Sequence, residues 1–154
     1  MKRKAIFPGS FDPFTVGHEN VVLRSLDLFD EIVIAIGYNS NKHDFFPIEK
    51  RIDWIEKVFE KYPQVRVEKY QGLTVEFAKE VGATHILRGL RTSADFEYER
   101  AIAQVNKSMS GIDTVFLLTT PEHTPVNSSI VRDIIRHGGD ASKFIPVAIR
   151  HLVH

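Results

Sequence analysis

The chain has 154 residues, with 20 Lys and Arg against 20 Asp and Glu and so no formal net charge. That length suits one domain able to bury a sizeable core, and the lack of cysteine excludes disulfides, thiolate catalysis and Cys-ligated zinc. An apolar fraction of 43% excludes a disordered chain, and zero net charge argues against a general nucleic-acid binder.

The first predicted strand covers residues 4–7. Its basic start is followed by only three apolar residues before Pro8, too short for a signal-peptide core. The longest apolar runs, 32–36 and 115–118, fall far short of the about 20 residues that span a bilayer, so a cytoplasmic protein without membrane contact is expected. Val22, Leu26 and Phe29, at i, i+4 and i+7, predict a helix before the second strand at 32–37. Ile48, Ile52, Ile55 and Phe59 mark one face of the next helix, followed by a strand at 65–70 and a short helix at 75–81. After the strand at 85–88, Thr92 and Asp95 resemble a capping box that opens a helix to about residue 109. A strand at 114–118 follows. Ser128 or Ser129 suits the cap of a helix at 130–136 that Gly138 and Gly139 stop, and a last short helix is expected from Pro146 onwards.

Near-continuous apolar strands alternating with helices predict a doubly wound, Rossmann-like α/β domain: a five-stranded parallel sheet with helices on both faces. In such sheets ligands bind beyond the carboxyl ends of the strands, which directs attention to loops 8–17, 38–47, 89–92 and 119–127.

The first strand runs into Pro8-Gly9-Ser10-Phe11-Asp12-Pro13, then Thr15, Gly17 and His18. Gly9 and Ser10 supply a turn with backbone donors for a phosphate, and Gly17-His18 opens a helix whose N-terminus attracts anions by about 0.3–2 kcal/mol. His18 offers two donors at the same place. The competing reading is that Gly9, Pro13 and Gly17 only shape the turn. This segment resembles the signature of the nucleotidyltransferases related to class I aminoacyl-tRNA synthetases, in which a T/H-x-G-H histidine faces the nucleotide phosphates.

The second cluster is Arg88-Gly89-Leu90-Arg91, with Glu97 and Glu99 on the following helix. Two guanidiniums at a strand's carboxyl end make a fork suited to phosphates. The competing reading is a surface pair bridged to Asp95 and Glu99, which contributes little stability. With Lys42, the segment 72–78 and the segment 127–133, these motifs fall in the order found in bacterial phosphopantetheine adenylyltransferases, which the chain resembles over nearly its whole length.

The resemblance implies one nucleotidyltransferase domain over 1–154. Its reaction is the reversible transfer of an adenylyl group from ATP to 4′-phosphopantetheine, giving dephospho-coenzyme A and pyrophosphate. It implies that Ser10 and Phe11 contact substrate and ATP, and that His18 contacts the ATP phosphates. Lys42 reaches the acceptor phosphate or the transferring group, Thr74 lies along the pantetheine arm, and Arg88 binds the acceptor phosphate. Gly89, Leu90, Arg91 and Glu99 line the ATP site, and His123, Thr124, Pro125, Val126, Asn127, Ser128 and Ser129 form a second ATP loop. His18, Lys42 and Arg91 are then the residues expected to serve catalysis. Further implications are Mg2+ arriving with ATP, no metal held by side chains, a homohexamer, and inhibition by coenzyme A. Two departures stand out: Asn127 replaces the first of three serines, and Thr74 replaces a larger apolar residue.

The remaining histidines show no metal-ligand spacing. Phe96 and Tyr98 read as core or interface residues rather than base-stacking platforms. The acceptor phosphate is already ionised, so the site needs in-line positioning and positive charge, not a general base. Two alternatives are a nicotinate-mononucleotide adenylyltransferase, which RGLR and DFEYE fit poorly, and a non-catalytic flavodoxin-like nucleotide-binding module.

Overall fold

The computed structural model describes residues 2–39 and 43–154. Among them, five strands form one all-parallel sheet in the order β3-β2-β1-β4-β5. In chain order the elements are β1 (Lys4–Gly9), α1 (Val16–Ser25), β2 (Glu31–Gly37), α2 (Ile48–Val58), β3 (Val65–Tyr70), α3 (Thr74–Glu80), β4 (His85–Leu90), α4 (Ser93–Ser110), β5 (Asp113–Leu118) and α5 (Ser128–Arg136).

The pleat sorts strand residues to opposite faces. Ala5, Phe7, Ile32, Ile34 and Ile36 pack with Val22 of α1 and Ile55 of α2, while Ile6, Val33 and Ala35 pack with Val75 and Ala78 of α3. Each fully buried Ile, Val or Phe contributes about 1.5–3 kcal/mol, which explains why the central strands read as unbroken apolar runs.

Several boundaries differ from the sequence reading. β1 continues through Pro8 and Gly9, and β4 through Gly89 and Leu90, because parallel partners in β2 and β5 carry the ladder that far. α1 stops at Ser25 although its apolar periodicity reaches Phe29; the Ser25 hydroxyl donates to Val22 O at 2.8 Å, and the chain turns toward β2. α5 is capped by Asn127, whose Oδ1 accepts from Ile130 N at 2.9 Å, rather than by Ser128 or Ser129. The expected final helix is instead two single 3-10 turns, Ser142–Phe144 and Val147–Ile149, with Pro146 between them breaking helical continuation.

The pairing of β1 with β4 positions the site. It holds only at Ala5↔His85 and Ile6↔Ile86, whereas β1 pairs with β2 from Lys4 to Gly9. Beyond Ile6 the two central strands therefore part, at the point where the strand order reverses. A crevice opens between Pro8–Gly9 and Arg88–Gly89, at the topological switch point where such sheets bind ligands.

Candidate active site

One wall of the crevice is built from the β1–α1 turn. A Cβ on Gly9 would lie 2.8 Å from the Phe11 ring, so glycine is what lets that ring fold back over the strand end. Phe11 itself holds a left-handed φ of 48°, a conformation costing about 1–3 kcal/mol for a non-glycine residue. Its ring meets the His18 imidazole edge-on at 4.9 Å, and Phe14 meets the same imidazole at 5.2 Å.

His18 is the third residue of α1 and half of a capping box. Thr15 Oγ1 accepts from His18 N at 3.4 Å, and Thr15 N donates to His18 Nδ1 at 3.0 Å. A nitrogen that accepts a backbone N–H carries no proton, so the neutral ring's proton sits on Nε2. Burial, followed by the charges of Arg88 and Arg91, lowers the His18 pKa to about 3. The ring is a neutral, single-donor group, not the two-donor group that sequence suggests. Next to it, Glu19 has its carboxyl pKa raised by burial, partly offset by His123 and Arg150.

The opposite wall comes from β4 and α4. Arg88 grips Glu99 with two donors, Nη2 to Oε1 at 2.7 Å and Nε to Oε2 at 3.2 Å, and its Nη1 donates to Pro8 O. Arg91 pairs with Asp95, Nε to Oδ2 at 3.2 Å. The bridges of the competing reading are therefore present, and both paired guanidiniums line the crevice while staying about one third exposed. Gly89 keeps this wall close to α1, since a Cβ there would come 3.0 Å from Val21 Cγ2.

Between the walls lies a cleft of about 460 Å³. Ser10, Phe11 and His18 line it from the first turn, and Arg88, Gly89, Arg91 and Glu99 from the second. Val126, Asn127 and Ser128 close it from the last loop, with Ser128 Oγ donating to Pro13 O at 2.8 Å. A second cleft of about 280 Å³ shares Pro8, Gly9, Arg88, Tyr98 and Glu99 with the first and runs to Thr74. Thr74 Oγ1 lies 2.9 Å from the Tyr70 hydroxyl, and Thr114 Oγ1, in the same cleft, is buried with no hydrogen-bond partner among the described residues.

Not every expected residue reaches these clefts. Leu90 is packed in the core at 6% exposure. His123, Thr124, Pro125 and Ser129 lie off the cleft walls. Thr124 Oγ1 turns to Thr120 O at 3.2 Å, and Ser129 Oγ accepts from Arg132 at 3.1 Å. Lys42 lies outside the described residues.

Sequence reasoning missed Tyr98, Asp12 and Arg51. Tyr98, expected in the core or at an interface, is 71% exposed, which rules out the core, and it lines both clefts. Arg51 sits three residues after Ile48 and four before Ile55, and a charge on that apolar stripe was the available signal. No comparable signal marked Asp12 beyond its place in the motif.

A family model described as cytidylyltransferase-like matches residues 6–134. The phosphopantetheine adenylyltransferase of Bacteroides fragilis is 52% identical over 144 residues, covering 94% of this chain and 96% of the relative. That of Flavobacterium johnsoniae is 54% identical over 148 residues, covering 96% and 97%. Among solved structures, a bifunctional NMN adenylyltransferase/ADP ribose pyrophosphatase from Francisella tularensis aligns with TM-score 0.72 at 18% identity, covering 96% of this chain and 46% of that one. The lipopolysaccharide core biosynthesis protein from Thermoplasma volcanium aligns with TM-score 0.55 at 20% identity, covering 78% and 98%. At such identities the structural likeness establishes the fold. The sequence matches, at about half identity and nearly full coverage, establish more: this chain belongs to the cytidylyltransferase-like family and, within it, to the phosphopantetheine adenylyltransferases.

Proposed function

We infer that the chain transfers an adenylyl group from ATP to 4′-phosphopantetheine, releasing pyrophosphate and forming dephospho-coenzyme A. The observation that carries the reading is the junction of two clefts at Arg88, one facing His18 and Arg91 and the other running to Thr74. ATP occupies the first, the pantetheine arm the second, and the acceptor phosphate meets Arg88 between them. An oxygen of that phosphate attacks the α-phosphorus of ATP. The bond from that phosphorus to the bridging oxygen breaks, and pyrophosphate leaves with the electron pair.

Two polyanions must approach each other, so the residues act by neutralising charge and holding alignment. His18 donates its Nε2 proton as a hydrogen bond to a phosphate oxygen without ever becoming charged. Arg91 serves the ATP phosphates, and Lys42 serves the transferring group as the family resemblance implies. Ser10, Phe11, Gly89 and the Val126–Ser128 stretch border the nucleotide. Glu99 holds Arg88 in place. Mg2+ enters as part of the substrate MgATP; Glu99 and Asp95, the carboxylates of the first cleft, are already engaged by Arg88 and Arg91 and do not suit a protein-held cation. Thr74, Tyr70 and Thr114 offer hydroxyls to the amides of the arm.

The reading extends to a cytoplasmic homohexamer inhibited by coenzyme A. Support for assembly comes from α4, none of whose 18 residues is buried, with Tyr98, Ile102, Val105 and Met109 exposed along one stripe. No described helix is long and apolar enough to cross a membrane. Light scattering should give a multiple of 17.6 kDa; the monomer mass at micromolar concentration rejects the assembly.

The activity is tested by pyrophosphate release with three acceptors at equal MgATP. 4′-Phosphopantetheine should turn over, and pantetheine, which lacks the attacking oxygen, should not. Nicotinate mononucleotide keeps a phosphate and must be refused by the shape of the second cleft. Faster turnover of nicotinate mononucleotide overturns the assignment.

A further inference from the structure

Arg51 is on α2 yet only 1% exposed. Burying a guanidinium is costly unless its donors are engaged; here Nε and Nη1 are hydrogen-bonded, while Nη2 is held by charge alone, close to Asp44 without hydrogen-bond geometry. Nη1 donates to Ser10 O at 2.6 Å, Nε donates to Phe46 O at 3.0 Å, and Nη2 pairs with Asp44 Oδ2 at 2.7 Å. Asp12 accepts from Phe45 N and Phe46 N, both at 2.8 Å. On the far side Arg132 Nη1 donates to Asp12 O at 2.8 Å. The first turn is thus bonded from beneath to α2 and its approach, and from the side to α5.

A buried guanidinium paired with a carboxylate that is 34% exposed contributes little net stability over an apolar residue of similar volume. Its value lies in what it holds. The Ser10–Phe11 peptide is trans, so its C=O and N–H point opposite ways. Drawing Ser10 O down onto Arg51 turns the Phe11 N–H away from Arg51, and both residues border the larger cleft. We propose that Arg51 is a positioning residue for adenylyl transfer, fixing the Ser10–Phe11 peptide so that the turn's backbone donors are aligned on the nucleotide phosphates; this rests on the reading of the site as an adenylyltransferase.

The experiment compares wild type, Arg51→Lys, Arg51→Gln and a control, Val33→Ala, which removes buried volume on the α3 face of the sheet. Each is measured for Tm, kcat for pyrophosphate release and calorimetric ATP affinity. Lysine lacks the planar fork that reaches Ser10 O, Phe46 O and Asp44 at once, and glutamine, shorter and with one uncharged NH2, cannot span them or pair with Asp44. Both Arg51 variants should lose about 10–100-fold in kcat, the scale of a misaligned reacting group, with ATP affinity changed less than about threefold. Val33→Ala should lower Tm with kcat unchanged. Folded Arg51 variants with kcat within twofold of wild type overturn the inference. A loss no larger than that of Val33→Ala does the same, and so does failure of both Arg51 variants to fold, which would assign the residue to folding alone. Wild type inactive with ATP and 4′-phosphopantetheine would instead overturn the functional reading itself.

Discussion

The two walls of the cleft are held by different physics. The β1–α1 wall is preorganised: Phe11, Phe14 and Thr15 are buried, His18 is locked by its capping box, and Arg51 braces the loop from below. The β4–α4 wall relies on ion pairs that are partly open to water, with Arg88 and Arg91 about one third exposed and their carboxylate partners on α4, a helix none of whose residues is fully buried. A low-dielectric wall holds a neutral donor at a fixed point, whereas a half-solvated wall can keep two permanent charges without paying to desolvate them. The difference teaches a division of labour, in which the buried wall supplies geometry and the open wall supplies charge.

The largest expected effect breaks the buried wall. His18→Gln keeps an acceptor for Thr15 N, and so the capping box, but loses the imidazole Nε2 donor. Turnover should fall by roughly 100-fold or more while calorimetric ATP affinity changes little, because the contact strengthens as charge develops. Turnover near wild type would remove His18 from the chemistry.

A smaller and more selective effect comes from the open wall. Arg88→Ala should weaken 4′-phosphopantetheine more than ATP, by roughly 10–100-fold, and it also leaves the Glu99 carboxylate unpaired. Arg91→Ala should do the reverse. Separate titrations of each ligand decide the matter, and equal losses for both ligands in both variants contradict the division.

The smallest effect concerns acid stability. The folded chain holds His18 near a pKa of about 3 against 6.5 when free. Between those values the unfolded chain binds the extra proton, so stability is full above pH 6.5 and falls as pH drops, by about 1.4 kcal/mol per unit. Urea unfolding at pH 7.5 and 5.5 should show wild type losing about 1.4 kcal/mol more than His18→Gln. Parallel losses would mean that the imidazole is not buried neutral.

How much of this was legible in the sequence follows the range of the interactions. Apolar runs and their periods specified the strands, the alternation and the parallel sheet, because burial on two faces leaves a local mark at every residue. The Thr15–His18 spacing and the Arg88–Arg91 pair were also visible, since strand ends and caps are short-range features. What lay hidden was which atom meets which, whether three residues apart or forty-one. That Asn127 and not a serine caps α5 turns on which residue meets Ile130 N, and that His18 has one donor turns on Thr15 N reaching Nδ1. For Arg51 the sequence offers only a charge on an apolar stripe, and its acceptor, Ser10 O, lies 41 residues away. The cleft exists because β1 and β4 separate after Ile6 and Ile86, a property of two strands that meet only in the folded sheet. Composition and periodicity decide which groups must be buried, and only the tertiary structure decides which donor meets which acceptor once they are.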